Sequence, residues 1–206
     1  MSKSIKDDLR DVYNRYARIR DTAERPSWKD TERRYALDAF LKNGSTKLLE
    51  IGAGTCQDSI YFKEHGLDVT AIDFSEEHVK CCKEKNIKAI VMDVYDMDFQ
   101  PDSFDAVYSM NCFLHIPKKD LPDVLKGVNR ILSKAGLFYL GVYGDRDFEG
   151  KLRWTDYNAE ERFFAFYMFE DFKRILESIF RVIDARVINI KEDLIFHRFL
   201  LSYLGI

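Results

Sequence analysis

Glu50-Ile51-Gly52-Ala53-Gly54 sets a carboxylate beside two glycines spaced one apart, directly after the apolar residues Leu48 and Leu49. Glycine has no Cβ, so it takes turn dihedrals closed to other residues and lets a ligand approach the main chain. Thr55-Cys56-Gln57-Asp58 then open a helix, whose first N–H groups have no intrahelical partner. A nucleotide-like ligand is the chemistry this arrangement suits. Two further acids, Asp73 and Asp93, each close a short run rich in β-branched and apolar residues. Asp73 lies about 20 residues beyond the glycines, the position from which nucleotide-binding folds read ribose hydroxyls. His115 carries an imidazole that titrates near neutrality and reads either as a base or as a packed histidine before Ile116-Pro117. His65, His78 and His197 have no partner visible in the sequence.

The same residues choose between ligands. A dinucleotide turn needs G-x-G-x-x-G, and its sixth position here is Gln57. An acid at Glu50 would repel a pyrophosphate and tolerate a cationic, amino-acid-bearing cofactor. The pattern favours S-adenosylmethionine over NAD. The four cysteines, Cys56, Cys81, Cys82 and Cys112, form no C-x-x-C pair. They read as free thiols in a reducing compartment, with no metal site.

Elements must hold these residues in place. The 206 residues are 46% hydrophobic and 33% charged, enough for one globular domain with a sizeable core. Net charge is −3, which disfavours a nucleic-acid partner. No apolar run reaches the roughly 20 residues of a membrane span, and the N-terminus lacks the apolar core of a signal peptide, so a cytoplasmic protein without membrane contact is expected.

Residues 5–41 read as two amphipathic helices interrupted at Pro26. Strands are expected at 47–51, 68–73, 87–92, 104–110 and 137–143, separated by helices, which predicts a parallel sheet with right-handed crossovers. Residues 144–158 read as a polar loop or insertion, followed by the aromatic run 161–169 and a helix at 170–178. Strands at 180–190 and 194–204 are joined by a turn short enough for a hairpin. The expected fold is an α/β Rossmann-like three-layer sandwich, with a seven-stranded, mostly parallel sheet and one antiparallel strand from that hairpin.

With those residues in order, the chain resembles the class I S-adenosylmethionine-dependent methyltransferases, in their core-only, small-molecule branch. The resemblance rests on Glu50-Ile51-Gly52-Ala53-Gly54, on Asp73, on Asp93-Val94 and on Asn111-Cys112-Phe113-Leu114-His115-Ile116-Pro117. It implies that Gly52, Ala53 and Gly54, with Glu50 beside them, pass under the methionine moiety. Asp73 would take the ribose, Phe74 would lie against the adenine, and Asp93 and Val94 would bond its edge. Asn111 would hold the amino end near the sulfonium. Cys56 stands where the family has a third glycine.

The resemblance further implies a single domain over 1–206: N-terminal helices or lid at 1–44, cofactor core at 45–145, and acceptor-side insert plus hairpin at 146–206. The expected reaction is in-line methyl transfer to a small-molecule acceptor, by a monomer or homodimer, with S-adenosylhomocysteine as product. Asn111 and His115 are the neighbours of the chemistry. Tyr13, Tyr16, Trp28, Trp154, Tyr157 and Tyr167 have polar tips or sit in lid-like segments, and are candidates for the acceptor pocket. The alternatives are a tRNA or protein methyltransferase and a silent cofactor-binding protein.

Overall fold

The structure is a computed structural model that describes residues 1–154 and 160–204. The strands β1 (Lys47–Ile51), β2 (Asp68–Asp73), β3 (Lys88–Val91), β4 (Phe104–Met110), β5 (Leu132–Tyr143), β8 (Phe180–Lys191) and β9 (Leu194–Tyr203) form one sheet in the order β3-β2-β1-β4-β5-β9-β8. The first five run parallel, while β9 runs antiparallel to both β5 and β8. Successive side chains of β1 feed opposite faces, as the period of two requires. Leu48 joins α2 (Ser27–Lys42) and α3 (Gln57–Glu64) in a cluster with Phe40 and Phe62. Leu49 joins the other face, covered by α5 (Leu121–Ile131) and α6 (Phe169–Glu177).

The chain winds from β1 outward to β3, then returns to place β4 on the other side of β1. Strand order therefore reverses between β1 and β4, and a crevice opens beyond the C-terminal tips of these strands, where open α/β sheets bind ligands. Glu50, Asp73, Asn111 and Tyr143 all arrive at that edge. Helix α1 (Lys3–Thr22) lies across it, touching α4 (Glu76–Glu84) and β7 (Glu161–Phe166). Pro26 separates α1 from α2 and caps the latter, as the sequence implies. No helix among the described residues is long and apolar enough to cross a membrane.

Two expectations need correction. The segment read as a polar loop contains β6 (Phe148–Arg153), which pairs antiparallel with β7 in a separate two-stranded sheet. In β6, Phe148, Gly150 and Leu152 alternate with Glu149, Lys151 and Arg153, a strand period hidden among polar neighbours. The cysteines differ too: Cys56 and Cys82 form a disulfide, with Cα atoms 5.2 Å apart, and Cys81 and Cys112 stay free. The turn after β1 and helix α4 meet beside β2, so residues 26 apart in sequence become neighbours. Spacing along the chain does not show this.

Candidate functional site

The turn after β1 takes three left-handed residues in five positions: Gly52 (φ +69°), Gly54 (φ +55°) and Cys56 (φ +64°). A Cβ on Gly52 would stand 2.5 Å from both Cβ and Sγ of Cys112, so only glycine fits. Gly52 and Ala53 donate their N–H groups to the Ile72 carbonyl at 2.9 and 3.1 Å, which ties the turn to β2. Cys56 then begins α3 from a conformation that a residue with a Cβ adopts at a cost.

The three strand-tip acids have different surroundings. Glu50 is buried on the cleft floor and accepts a hydrogen bond from the Ser59 hydroxyl. Burial first, and Asp58 second, push its carboxyl well above the usual carboxylate range. Burial therefore disfavours the negative charge that the sequence suggests there.

Asp73 is the opposite case. Burial would raise its carboxyl, but His78 and the N–H groups of Ser75 and Gly54 reverse that and hold it below the ordinary value. Its Oδ2 accepts from Gly54 N at 2.8 Å, and its Oδ1 from Ser75 N at 2.9 Å and His78 Nδ1 at 3.3 Å. Asp93 accepts from Tyr95 N at 3.0 Å and from Lys6 Nζ at 2.6 Å, so a cation from α1 already covers it. Val94 follows in a short 3-10 helix and borders a neighbouring groove rather than the cleft.

The opposite end of the cleft comes from β4, β5 and β7. Asn111 is left-handed at φ +57°; its N–H donates to Gly141 O at 2.7 Å, and its Oδ1 accepts from Tyr143 N at 3.2 Å. Its Nδ2 is buried without a hydrogen-bond partner among the described residues and belongs to a cleft-lining side chain. A strained backbone with an idle donor is a common signature of a ligand site. His115 bonds the Phe163 carbonyl through Nδ1 at 2.7 Å, so Nδ1 carries the proton, and its Nε2 accepts from the Tyr13 hydroxyl at 2.6 Å. Burial holds the imidazole down to about 3, despite the Phe163 bond.

One cleft of about 180 Å³ joins the two ends. Gly52, Ala53, Gly54, Asp73 and Phe74 border it on the turn side, and Asn111, His115, Tyr143, Trp154 and Phe164 on the other. Of the aromatic candidates for the acceptor pocket, Tyr13 and Trp154 border it. Tyr16 instead donates to Glu160 at 3.0 Å, Trp28 packs on Phe196 with ring centres 4.8 Å apart, and Tyr167 stacks on Phe172 at 4.8 Å. Tyr157 lies outside the described residues. Sequence reasoning missed His78, Arg20 and Arg162, which also line the cleft. For His78 a signal existed: it follows Asp73 by five residues, in the first turn of a helix capped by Ser75.

The family profile described as a methyltransferase domain matches residues 49–140, which run from the glycine turn to β5. Over that stretch the chain carries a methyltransferase domain. It is 34% identical over 98 residues to a demethylmenaquinone methyltransferase of Renibacterium salmoninarum, covering 46% of this chain and 41% of that protein. It is 30% identical over 112 residues to a sterol 24-C-methyltransferase of Pneumocystis carinii, covering 50% of this chain and 29% of that one. The chain thus spans well under half the length of these curated relatives. In fold it is similar to the 1,6-didemethyltoxoflavin-N1-methyltransferase of Burkholderia thailandensis, with a TM-score of 0.71 at 18% identity, over 95% of this chain and 87% of that one.

S-adenosylmethionine is the cofactor that the resemblance of the sequence implies, and the cleft's own chemistry fits it. A bare glycine cradle lines this space, together with two side chains, Asn111 and His78, whose Nδ2 and Nε2 are buried without a hydrogen-bond partner among the described residues. Its volume does not yet fit. Small-molecule sites measure roughly 300–1,000 Å³, so the cleft is smaller than cofactor and acceptor together require.

Proposed function

We propose that this methyltransferase transfers a methyl group from S-adenosylmethionine to a small-molecule acceptor by in-line displacement at the sulfonium methyl. The observation that carries this reading is the continuity of the cleft: the glycine turn and Asp73 open onto the same space as the aromatic wall of Tyr143, Trp154 and Phe164. Trp154 stacks on Tyr143 with ring centres 5.5 Å apart, giving a flat apolar surface suited to a planar acceptor. The quinone and sterol methyltransferases it resembles are named for small acceptors of comparable apolar character.

When bound, the cofactor supplies an electrophilic methyl on a cationic sulfur. The chain's part is positioning and water exclusion, which together remove much of a displacement barrier. In this reading Gly52 and Gly54 pass beneath the methionine portion, with Ala53 between them and Glu50 below. Asp73 takes the ribose, Phe74 faces the adenine, and Asp93 and Val94 meet its edge once Lys6 withdraws. Asn111 turns its free Nδ2 toward the methionine end. His115 is too weak a base to collect a proton, so it serves as the acceptor that orients the Tyr13 hydroxyl over the cleft. The nucleophile then reaches the methyl either as an anion or through a lone pair that needs no deprotonation.

Asp73→Ala tests the cofactor side. It removes three hydrogen bonds that organise the turn and is expected to weaken S-adenosylhomocysteine binding at least about 30-fold by calorimetry, at roughly 1 kcal/mol or more per interaction lost. Unchanged affinity would contradict the role given to Asp73. The acceptor side is tested by incubating the protein with methyl-labelled cofactor and a panel of hydroquinones, phenols, sterols and heteroaromatic amines. Label transfer to none of them, with cofactor binding intact, would remove the small-molecule reading.

A further inference from the structure

We propose that His78 is a second reader of the cofactor's ribose, working through Nε2 while its Nδ1 is held by Asp73. The proposal rests on the cofactor reading above and assigns a residue that the family's strand-tip acid does not account for. The starting point is the occupancy of Asp73. A carboxylate offers about four lone-pair directions, and three of these are taken by Gly54 N, Ser75 N and His78 Nδ1. One direction on Oδ2 remains. A ribose presents two vicinal hydroxyls, so Asp73 in this arrangement serves one and leaves the other without a partner.

His78 stands where that partner is needed. Its side chain is 3% exposed, it lines the cleft beside Asp73, Gly54 and Phe74, and its Nε2 has no hydrogen-bond partner among the described residues. A buried polar nitrogen is seldom left idle unless a ligand or water completes it. Nδ1 faces a carboxylate and carries the proton, which leaves Nε2 as the ring nitrogen to meet a hydroxyl. The ring is also fixed in place. Ser75 caps α4 by accepting the His78 N–H at 3.1 Å, Ser75 in turn donates to Asn14 Oδ1 at 2.6 Å, and the Tyr13 ring stands 5.6 Å away across the cleft. A rigid imidazole nitrogen next to a rigid carboxylate makes a two-atom clamp for a diol.

The experiment compares ligands as well as variants. Asparagine places an amide N–H close to where the imidazole holds Nδ1, so His78→Asn keeps the bond to Asp73 and deletes only the atom in question. Calorimetry would use S-adenosylhomocysteine and its 2′-deoxy and 3′-deoxy counterparts on wild-type and variant protein. The expected result is about a tenfold loss for the variant with S-adenosylhomocysteine, and no loss relative to wild type with the one analogue that lacks the hydroxyl read by Nε2. Wild-type affinity in the variant, or an equal loss on all three ligands, would overturn the proposal. A second measurement needs no variant: the ¹⁵N resonance of His78 Nε2 should move by several parts per million when S-adenosylhomocysteine binds the wild-type protein, and a stationary resonance would count against it. If wild-type protein binds none of the ligands, the cofactor reading falls and this one with it. If it binds them and His78 proves silent, this one falls alone.

Discussion

Cys56 shows how one side chain can change the energetics of a motif. A left-handed conformation at φ +64° costs a residue with a Cβ roughly 1–2 kcal/mol, and the family avoids the cost with glycine. Here the thiol is joined to Cys82, and closing a loop of that length stabilises the fold by about 3–4 kcal/mol. The cross-link outweighs the strain, so a dithiol reductant should lower the unfolding free energy by about 3 kcal/mol in urea titrations. Cys56→Gly under the same reductant should recover about 1 kcal/mol of the loss. Coincident denaturation curves with and without reductant would show that the cross-link contributes nothing. At this scale the sequence revealed the residues whose role is a backbone shape or a fixed offset: Gly52, Gly54 and Asp73. It did not reveal roles set by burial or by contacts across the chain. Glu50 reads as a charge until Ser59 and Asp58 are seen around it, and Cys82 and His78 acquire partners only once α4 packs beside the turn.

Helix α1 decides whether the cleft is open. Its amphipathic stripe is legible from Leu9, Val12, Tyr13 and Tyr16, but the sequence does not tell which surface it covers. In the structure Leu9, Val12 and Ala17 are buried, and side-chain bonds join the helix to the cleft rim: Lys6 with Asp93, Asn14 with Ser75 and Glu76, Tyr13 with His115, and Arg18 with Glu84. Polar contacts of this kind are weak individually in water, which suits an element that must shift for a ligand. Lys6 and Asp93 are each only about one-fifth exposed (20% and 22%), and in the proposed reading Lys6 competes with the adenine edge for the same carboxylate. Lys6→Met removes the competitor. Taken at the roughly 1 kcal/mol of a pair near the surface, its loss should raise S-adenosylhomocysteine affinity two- to fivefold in calorimetry, with a shallower dependence on salt. A loss of affinity would mean that Lys6 helps hold the ligand. The hairpin of β6 and β7 was less legible than α1, because its period-two pattern is interrupted by Gly150 and half exposed; its burial comes from the aromatic run Phe163–Phe166 packing on the sheet's core.

Across the whole molecule, the alternation of apolar strands and amphipathic helices was enough to read the sheet, its switch point and the antiparallel β9, because burial on both faces leaves little freedom in which residues form strands. The same burial leaves a pH signature. His197 is fully buried between Phe169 and Gly144, with neither ring nitrogen hydrogen-bonded among the described residues and Asp145 Oδ1 3.9 Å from Nε2; burial outweighs that carboxylate and lowers it to about 4, and burial lowers His115 to about 3. In the unfolded chain both return to about 6.5. As pH falls through that value the unfolded state takes up two protons that the folded state refuses. Stability is therefore fully present above about pH 6.5 and declines on acidification until the folded values near 3–4 are reached. Asp73 acts in the same sense at lower pH, since its depressed carboxyl contributes above its unfolded value near 3.9 and is lost below it. The unfolding free energy should drop by on the order of 2–4 kcal/mol between pH 7 and pH 5, before the carboxylates contribute. His197→Leu removes one of the two uptake sites together with its unpaired nitrogens, so that variant should show about half the wild-type slope over this interval. An unchanged slope would assign the acid sensitivity to groups other than the buried histidines, and the neutral state that keeps His115 an acceptor for Tyr13 would lose its support.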